Sequence, residues 1–148
     1  MSAPADIEGN KAKVRQFYER SHANDLTVYD DMLSPDFVNH GGPAGDMHGP
    51  EEFKQAYIGF ATAFSNFHTT IDLIVAEGDL VAVYGVASGT HDGAFMGLPP
   101  SGRSLRWTGM AIYRFDGDGR IAERWQEIDG LGLFGQLGLL PPPGAPPE

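Results

Sequence analysis

Cysteine is missing altogether, and lysine and arginine together number only 10 against 20 aspartates and glutamates. Without cysteine there is no disulfide framework, no thiolate nucleophile and no cysteine-ligated metal. A formal net charge of −10 argues against nucleic acid or an anionic membrane as a partner, because both present dense negative charge. Long hydrophobic runs are lacking too. The opening MSAPADIEGNKAK has no apolar stretch of the kind a secretory leader needs, and nothing approaches a membrane span. A cytoplasmic location is expected. Also lacking are a phosphate loop, a dinucleotide fingerprint and a nucleophile elbow.

What is present suits one soluble domain. The chain has 148 residues, 41% hydrophobic and 20% charged, enough to bury a sizeable core. Residues 1–5 are expected to fray and the proline-rich 141–148 to form a tail, leaving 6–140 as the domain. Ile7, Val14, Phe17 and Tyr18 recur at helical spacing and predict a helix from about Asp6 to His22. A shorter helix then places Leu26, Tyr29, Met32 and Leu33 on one side. Ser34-Pro35 ends it, because the residue before proline disfavours helical backbone. Asp36 to His40 reads as a short strand. In the third helix Pro50 takes the first helical position and Glu51 and Glu52 face the positive end of the dipole. Phe53, Tyr57, Phe60 and Phe64 form its apolar stripe.

The rest reads as strands. His68 to Ala76 alternates Thr69, Ile71, Leu73 and Val75 against Thr70, Asp72, Ile74 and Ala76. A tight turn at Glu77-Gly78-Asp79 leads into Leu80 to His91, where Gly85 and Gly89 mark bends or bulges. A long hairpin joins Ser104–Phe115 to Arg120–Ile128 through Asp116-Gly117-Asp118-Gly119. Its interrupted alternation suits a floor with one face toward a partly wet cavity. Phe95, Met96 and Leu98 before the hairpin, with Phe134 and Leu137 after it, are expected to close over the pocket mouth. Helices first and strands after give an α+β fold: a curved, mainly antiparallel sheet packed on three N-terminal helices around a cone-shaped pocket.

The order NKAKVRQFYE, SPDFVNH, GPEEFKQ, GTHDGAFMGLPPSGR, then GRIAERWQEID before GLFGQLG, resembles the SnoaL-like polyketide (ester) cyclases. These are cone-shaped α+β barrels of the nuclear-transport-factor-2-like superfamily, and the resemblance spans nearly the whole chain. It implies a cofactor-independent aldol closure of a polyketide methyl ester. A carboxylate in the last strand takes a carbon-bound proton while neighbouring donors hold the enolate. Aligning GRIAERWQEID by its glycine and final aspartate puts that aspartate at Gln126, and an amide cannot take the proton. The histidine and glutamine of well-studied members fall on Ala111 and Gly109.

Strand parity suggests what replaces them. With Gln126 toward the cavity, Ala122, Arg124 and Ile128 share its face, as do Trp107, Gly109, Ala111 and Tyr113 on the other arm. Arg124 and Gln126 are candidates to hold an anionic or enolate oxygen; an ion pair for Arg124 and a structural hydrogen bond for Gln126 are the alternatives. His91 and His40, at strand ends matching the family's pattern, are the candidate bases. Either could equally be a buried histidine bonded to backbone. Asp129 comes next, and with Asp36 it could form a dyad as in epoxide hydrolysis. Tyr18, His22, Phe60, Phe95, Met96, Trp107 and Tyr113 are the candidate substrate contacts. His40, His48 and His91 lack metal-site spacing, so neither metal nor cofactor is expected. The expected activity is that of a cyclase, isomerase or lyase on a hydrophobic, oxygenated small molecule. A non-catalytic binding protein or an epoxide hydrolase-like enzyme on the same fold is the alternative. Trp125, with Thr108, Met110 and Ile112 on the outward face, predicts a homodimer through the sheet backs.

Overall fold

The Asp6 carboxylate accepts the Gly9 N–H at 2.9 Å and so caps α1 (Ile7–His22), supplying a partner for a backbone donor that the helix itself cannot satisfy. The computed structural model describes residues 6–42 and 45–140; the expectations for 1–5 and 141–148 lie outside them. α2 (Val28–Met32) is one turn long. β1 (Leu33–Gly41) starts earlier than predicted and contains Pro35. Proline gives the ladder no N–H, and the register of β1 on its neighbour shifts between Leu33 and Val38.

β2 (Met47–His48) leads into α3 (Gly49–Ala63). Glu52 accepts the His48 N–H at 2.7 Å, giving a backbone donor at the helix start a partner. The helix stops one residue short of the predicted stripe: Phe64 opens β3 (Phe64–Glu77) with extended backbone, yet its ring is still fully buried. β4 (Leu80–His91), β5 (Ser104–Phe115), β6 (Ile121–Ile128) and α4 (Gly130–Gln136) follow.

The six strands form one sheet in the order β2-β1-β6-β5-β4-β3. Among the described residues only the β1–β6 pair is parallel. The sheet curves without closing, β2 and β3 being its edges. Its bend arises where β3 bulges at two places, between Ser65 and His68 and between Ile71 and Leu73. Gly85 and Gly89 of β4 lie opposite these bulges. A Cβ on Gly85 would stand 2.5 Å from the Thr70 carbonyl oxygen, and one on Gly89 2.8 Å from the Phe64 Cβ. The glycines therefore admit a partner strand that comes too close for any side chain. The second bulge also breaks the predicted alternation. Thr69 and Ile71 point inward, but past Asp72 it is Ile74 and Ala76 that join the core, while Leu73 and Val75 are each 64% exposed.

Helices α1 and α3 lie across the sheet, and two buried clusters form between the layers. The larger gathers Phe17, Tyr29, Phe37, Val83 and Tyr113. The smaller gathers Phe64, Leu105, Trp107 and Leu133. Burying such side chains stabilises by about 1.5–3 kcal/mol each.

Candidate active site

A cavity of about 140 Å³ opens between α1, α3 and the concave face of the sheet, bordering both clusters. That is close to the ~150 Å³ of an engineered cavity that admits benzene, so one ring fits inside and the remainder of a larger ligand lies toward the mouth. The walls are aromatic: Phe17, Phe53, Tyr57, Phe60, Phe67 and Trp107 all contribute. On the floor Gly85 and Gly109 face each other across the β4–β5 pair, beside Ala87 and Ala111. Small residues on adjacent strands leave open space where side chains would otherwise fill the cone.

Among the described residues Arg124 is the one charged side chain lining this cavity. It is 6% exposed, donates from Nη1 to the Asn39 Oδ1 at 2.8 Å, and leaves Nε without a partner. Its guanidinium lies over Phe53 and Tyr113, 5.1 and 5.2 Å from their ring centroids, the geometry of a cation–π contact. Among the described residues no carboxylate pairs with it. Burial opposes its charge, the phenolic oxygens of Tyr113 and Tyr18 favour it, and the balance keeps it above the ordinary arginine value. Arg124 is therefore a cation at every physiological pH.

Beside it the Tyr113 hydroxyl donates to the Tyr18 hydroxyl at 2.7 Å. Burial pushes Tyr113 well above the usual phenol range, against the opposing pull of Arg124, so it remains a neutral donor. Tyr18 accepts that bond and keeps its own proton for a ligand. His22 also lines the cavity. Its Nε2 accepts the Thr69 N–H at 3.1 Å, which puts the ring proton on Nδ1. Burial, with a smaller contribution from the His68 ring tilted against it at 4.2 Å, lowers its pKa to about 4. His22 is thus a neutral donor, and a poor base. Gln126 and Ile128 complete the β6 wall.

Trp107, Gly109, Ala111, Tyr113, Arg124, Gln126, Tyr18, His22 and Phe60 all line the cavity. The two candidate bases do not. His40 lies on the outer face of the sheet, stacked on Trp125 at 5.5 Å, with Nε2 2.6 Å from Glu123. Its neighbour Asn39 is the residue that turns inward. The bond from His40, followed by that from Arg114, lowers the Glu123 pKa. His91 is on the inward face but at the far end of β4, 1% exposed, its Nδ1 2.8 Å from the Ser101 Oγ. The rings of Phe64 and Phe95, themselves 5.0 Å apart, fill that end.

Asp129 is no base in the cavity either: exposed, it caps α4 by accepting the Gly132 N–H at 2.9 Å. Asp36 is exposed on β1, and neither aspartate lines the cavity, so no dyad forms there. The expected lid packs elsewhere. Phe95, Phe134 and Leu137 rest on the Trp107 cluster, and Met96 is largely exposed. The Gln136 amide fastens α4 to β5, donating to the Arg106 carbonyl at 2.7 Å and accepting its N–H at 3.0 Å. Among the described residues no group of three His, Asp or Glu side chains is placed to hold a metal ion, and no helix is long and apolar enough to cross a membrane.

Asn39 and Thr69, which fix Arg124 and His22, are the functional partners that motif reasoning missed. The buried Phe37 two positions earlier is the signal for Asn39, since strand parity then turns both inward.

No curated protein matches the chain in sequence. Among solved structures, IdmH of Streptomyces antibioticus, a candidate polyketide cyclase, is 34% identical with a TM-score of 0.77, covering 87% of this chain and 98% of its own. AclR of Streptomyces galilaeus, a candidate hydroxylase, is 28% identical with a TM-score of 0.81, covering 92% and 89%. TsrD of Streptomyces laurentii is 31% identical with a TM-score of 0.75, covering 87% and 97%. The family model for SnoaL-like polyketide cyclase matches residues 12–137. With its curved sheet, its helix-covered cavity and that match, the chain belongs to the SnoaL-like polyketide cyclase family, on the nuclear-transport-factor-2-like fold.

Proposed function

We propose that the chain is a polyketide cyclase-like enzyme acting on an apolar, oxygenated small molecule. It works by holding the substrate oxygen that gains charge as a carbon-bound proton is lost. The observation that carries this reading is the Tyr113–Tyr18 hydroxyl pair beside Arg124 on the wall of an otherwise aromatic cavity. Tyr18, Arg124 and the Gln126 amide all bring N–H or O–H groups to one apolar space. Donors fixed in such a space stabilise a developing oxyanion far more than water does.

Gln126 stands where the family's aspartate would take the proton, and among the described residues no aspartate or glutamate lines the cavity. The chain therefore supplies the oxygen side of the reaction. Holding the carbonyl oxygen acidifies the adjacent carbon, and the proton passes to water at the mouth. The test is exchange of the α-proton of an aryl β-ketoester in deuterated water, followed by NMR. Wild-type protein should accelerate exchange, and Tyr18→Phe should slow it by about 10²-fold, the scale for losing one oxyanion donor. Equal exchange with and without protein overturns the reading. The lack of a cavity base favours one alternative, a non-catalytic binding protein, which predicts saturable binding with no acceleration.

The outer sheet face exposes Leu73, Val75, Met110, Ile112 and Trp125. We propose that this apolar set pairs with a second copy, forming a homodimer in the cytoplasm. Light scattering at tens of micromolar should give twice the chain mass; a monomer contradicts it.

A further inference from the structure

We propose that the cavity's ligand carries an ionised carboxylate, bound as the counter-ion of Arg124. This rests on the reading that the cavity is the ligand site, and it goes further by fixing the ligand's charge before any reaction. Three buried side-chain polar atoms among the described residues lack a partner, and Ser21 Oγ and Arg124 Nε, two of the three, belong to residues lining the cavity. Arg124 is more than nine-tenths buried, and the groups around it, the Asn39 amide, two aromatic faces and the Tyr113 and Tyr18 hydroxyls, include no anion.

A buried cation with no protein anion is expensive, because desolvation of the charge goes uncompensated. The chain is not short of acids to pair with it: 20 aspartates and glutamates stand against 10 basic residues. Glu123 and Glu127, on either side of it along β6, nevertheless turn the other way, Glu123 being taken up by His40 and Arg114. A transient enolate alone does not explain this arrangement, since the cost is present throughout the resting state. A ligand that is an anion in its ground state removes it. A planar guanidinium offers forked pairs of donors of the kind that a carboxylate accepts. The ring then lies against the aromatic walls toward Phe60 and Trp107.

Cinnamate, methyl cinnamate and cinnamamide share one ring and differ in charge, which makes them suitable probes. Titration calorimetry on the full chain should show cinnamate binding at least about tenfold more tightly than either neutral analogue, a difference of ~1.4 kcal/mol. Arg124→Met should abolish that preference while methyl cinnamate still binds, and Arg124→Lys should retain part of it. Equal binding of cinnamate and its methyl ester to wild-type protein overturns the proposal, as does a preference that survives in Arg124→Met. If Arg124→Met fails to fold, the Arg124 Nε–H resonance of ¹⁵N-labelled wild-type protein decides. It should shift with cinnamate and not with methyl cinnamate, and no shift with cinnamate contradicts the assignment. A preference for cinnamate with no α-proton exchange in the ketoester assay sinks the catalytic reading and leaves this proposal intact. Exchange without any preference for the anion does the reverse.

Discussion

Tyr113 donates its hydroxyl proton to Tyr18 across 2.7 Å, so Tyr18 meets the cavity with its own proton still free. The pair couples core to site: Tyr113 is fully buried in the larger cluster, and Tyr18 lines the cavity. Tyr113→Phe keeps the ring and removes this bond. It should lower stability by about 0.5–1.5 kcal/mol, the net worth of one hydrogen bond, measured by urea unfolding. Unchanged stability would mean that the hydroxyl pair contributes nothing.

The positions of His91 and His40 predict that neither takes a proton from substrate. His40→Gln and His91→Gln should leave the α-proton exchange rate within a few-fold of wild type. The His91 variant should still lose thermal stability, since His91 ties β4 to Ser101 in a closed apolar end of the core. Loss of exchange in either folded variant would restore the histidine as a base.

Phe95 predicts a similar separation. Its ring packs 5.4 Å from Phe60 and 5.0 Å from Phe64, outside the set lining the cavity. Phe95→Ala should cost about 1–3 kcal/mol of stability with little change in cinnamate affinity. A large loss of affinity at unchanged stability would mean that the loop closes over the ligand.

His22 gives a pH signature. Its folded pKa of about 4 lies below the ordinary 6.5, so between these values the unfolded chain binds the proton more readily. Stability contributed by neutral His22 is complete above about pH 6.5 and declines as pH falls toward 4. His22→Gln keeps an acceptor for the Thr69 N–H and should flatten that part of the stability profile. An unaltered profile would place the acid sensitivity elsewhere.

The hairpin and its cavity face were legible because one parity places Trp107, Gly109, Ala111 and Tyr113, and Arg124, Gln126 and Ile128, on the cavity side. In β3 the same rule failed at Asp72, where a bulge reset the face; Gly85 hinted at that bulge without saying which strand would carry it. His91 shows another limit. It ends β4 as expected, but its depth depends on where α3 ends and Phe64 turns into the core. His40 faces outward because Phe37 fixes the parity of β1, and the inward position falls to Asn39, whose uncharged amide carries no titratable signal in the sequence. That Arg124 lacks a counter-ion could not be read at all. Its partner Asn39 is 85 positions away, and the nearby acids are excluded only by the folded geometry.

The central claim is that Tyr18 and Arg124 hold the ligand's oxygen atoms. A crystal structure of the chain with cinnamate tests it most directly. The account predicts carboxylate oxygens about 2.7–3.1 Å from the Arg124 guanidinium and the Tyr18 Oη, with the ring between Phe60 and Trp107. Cinnamate seated on the outer sheet face, or in the cavity with its carboxylate turned away from Arg124, would contradict it.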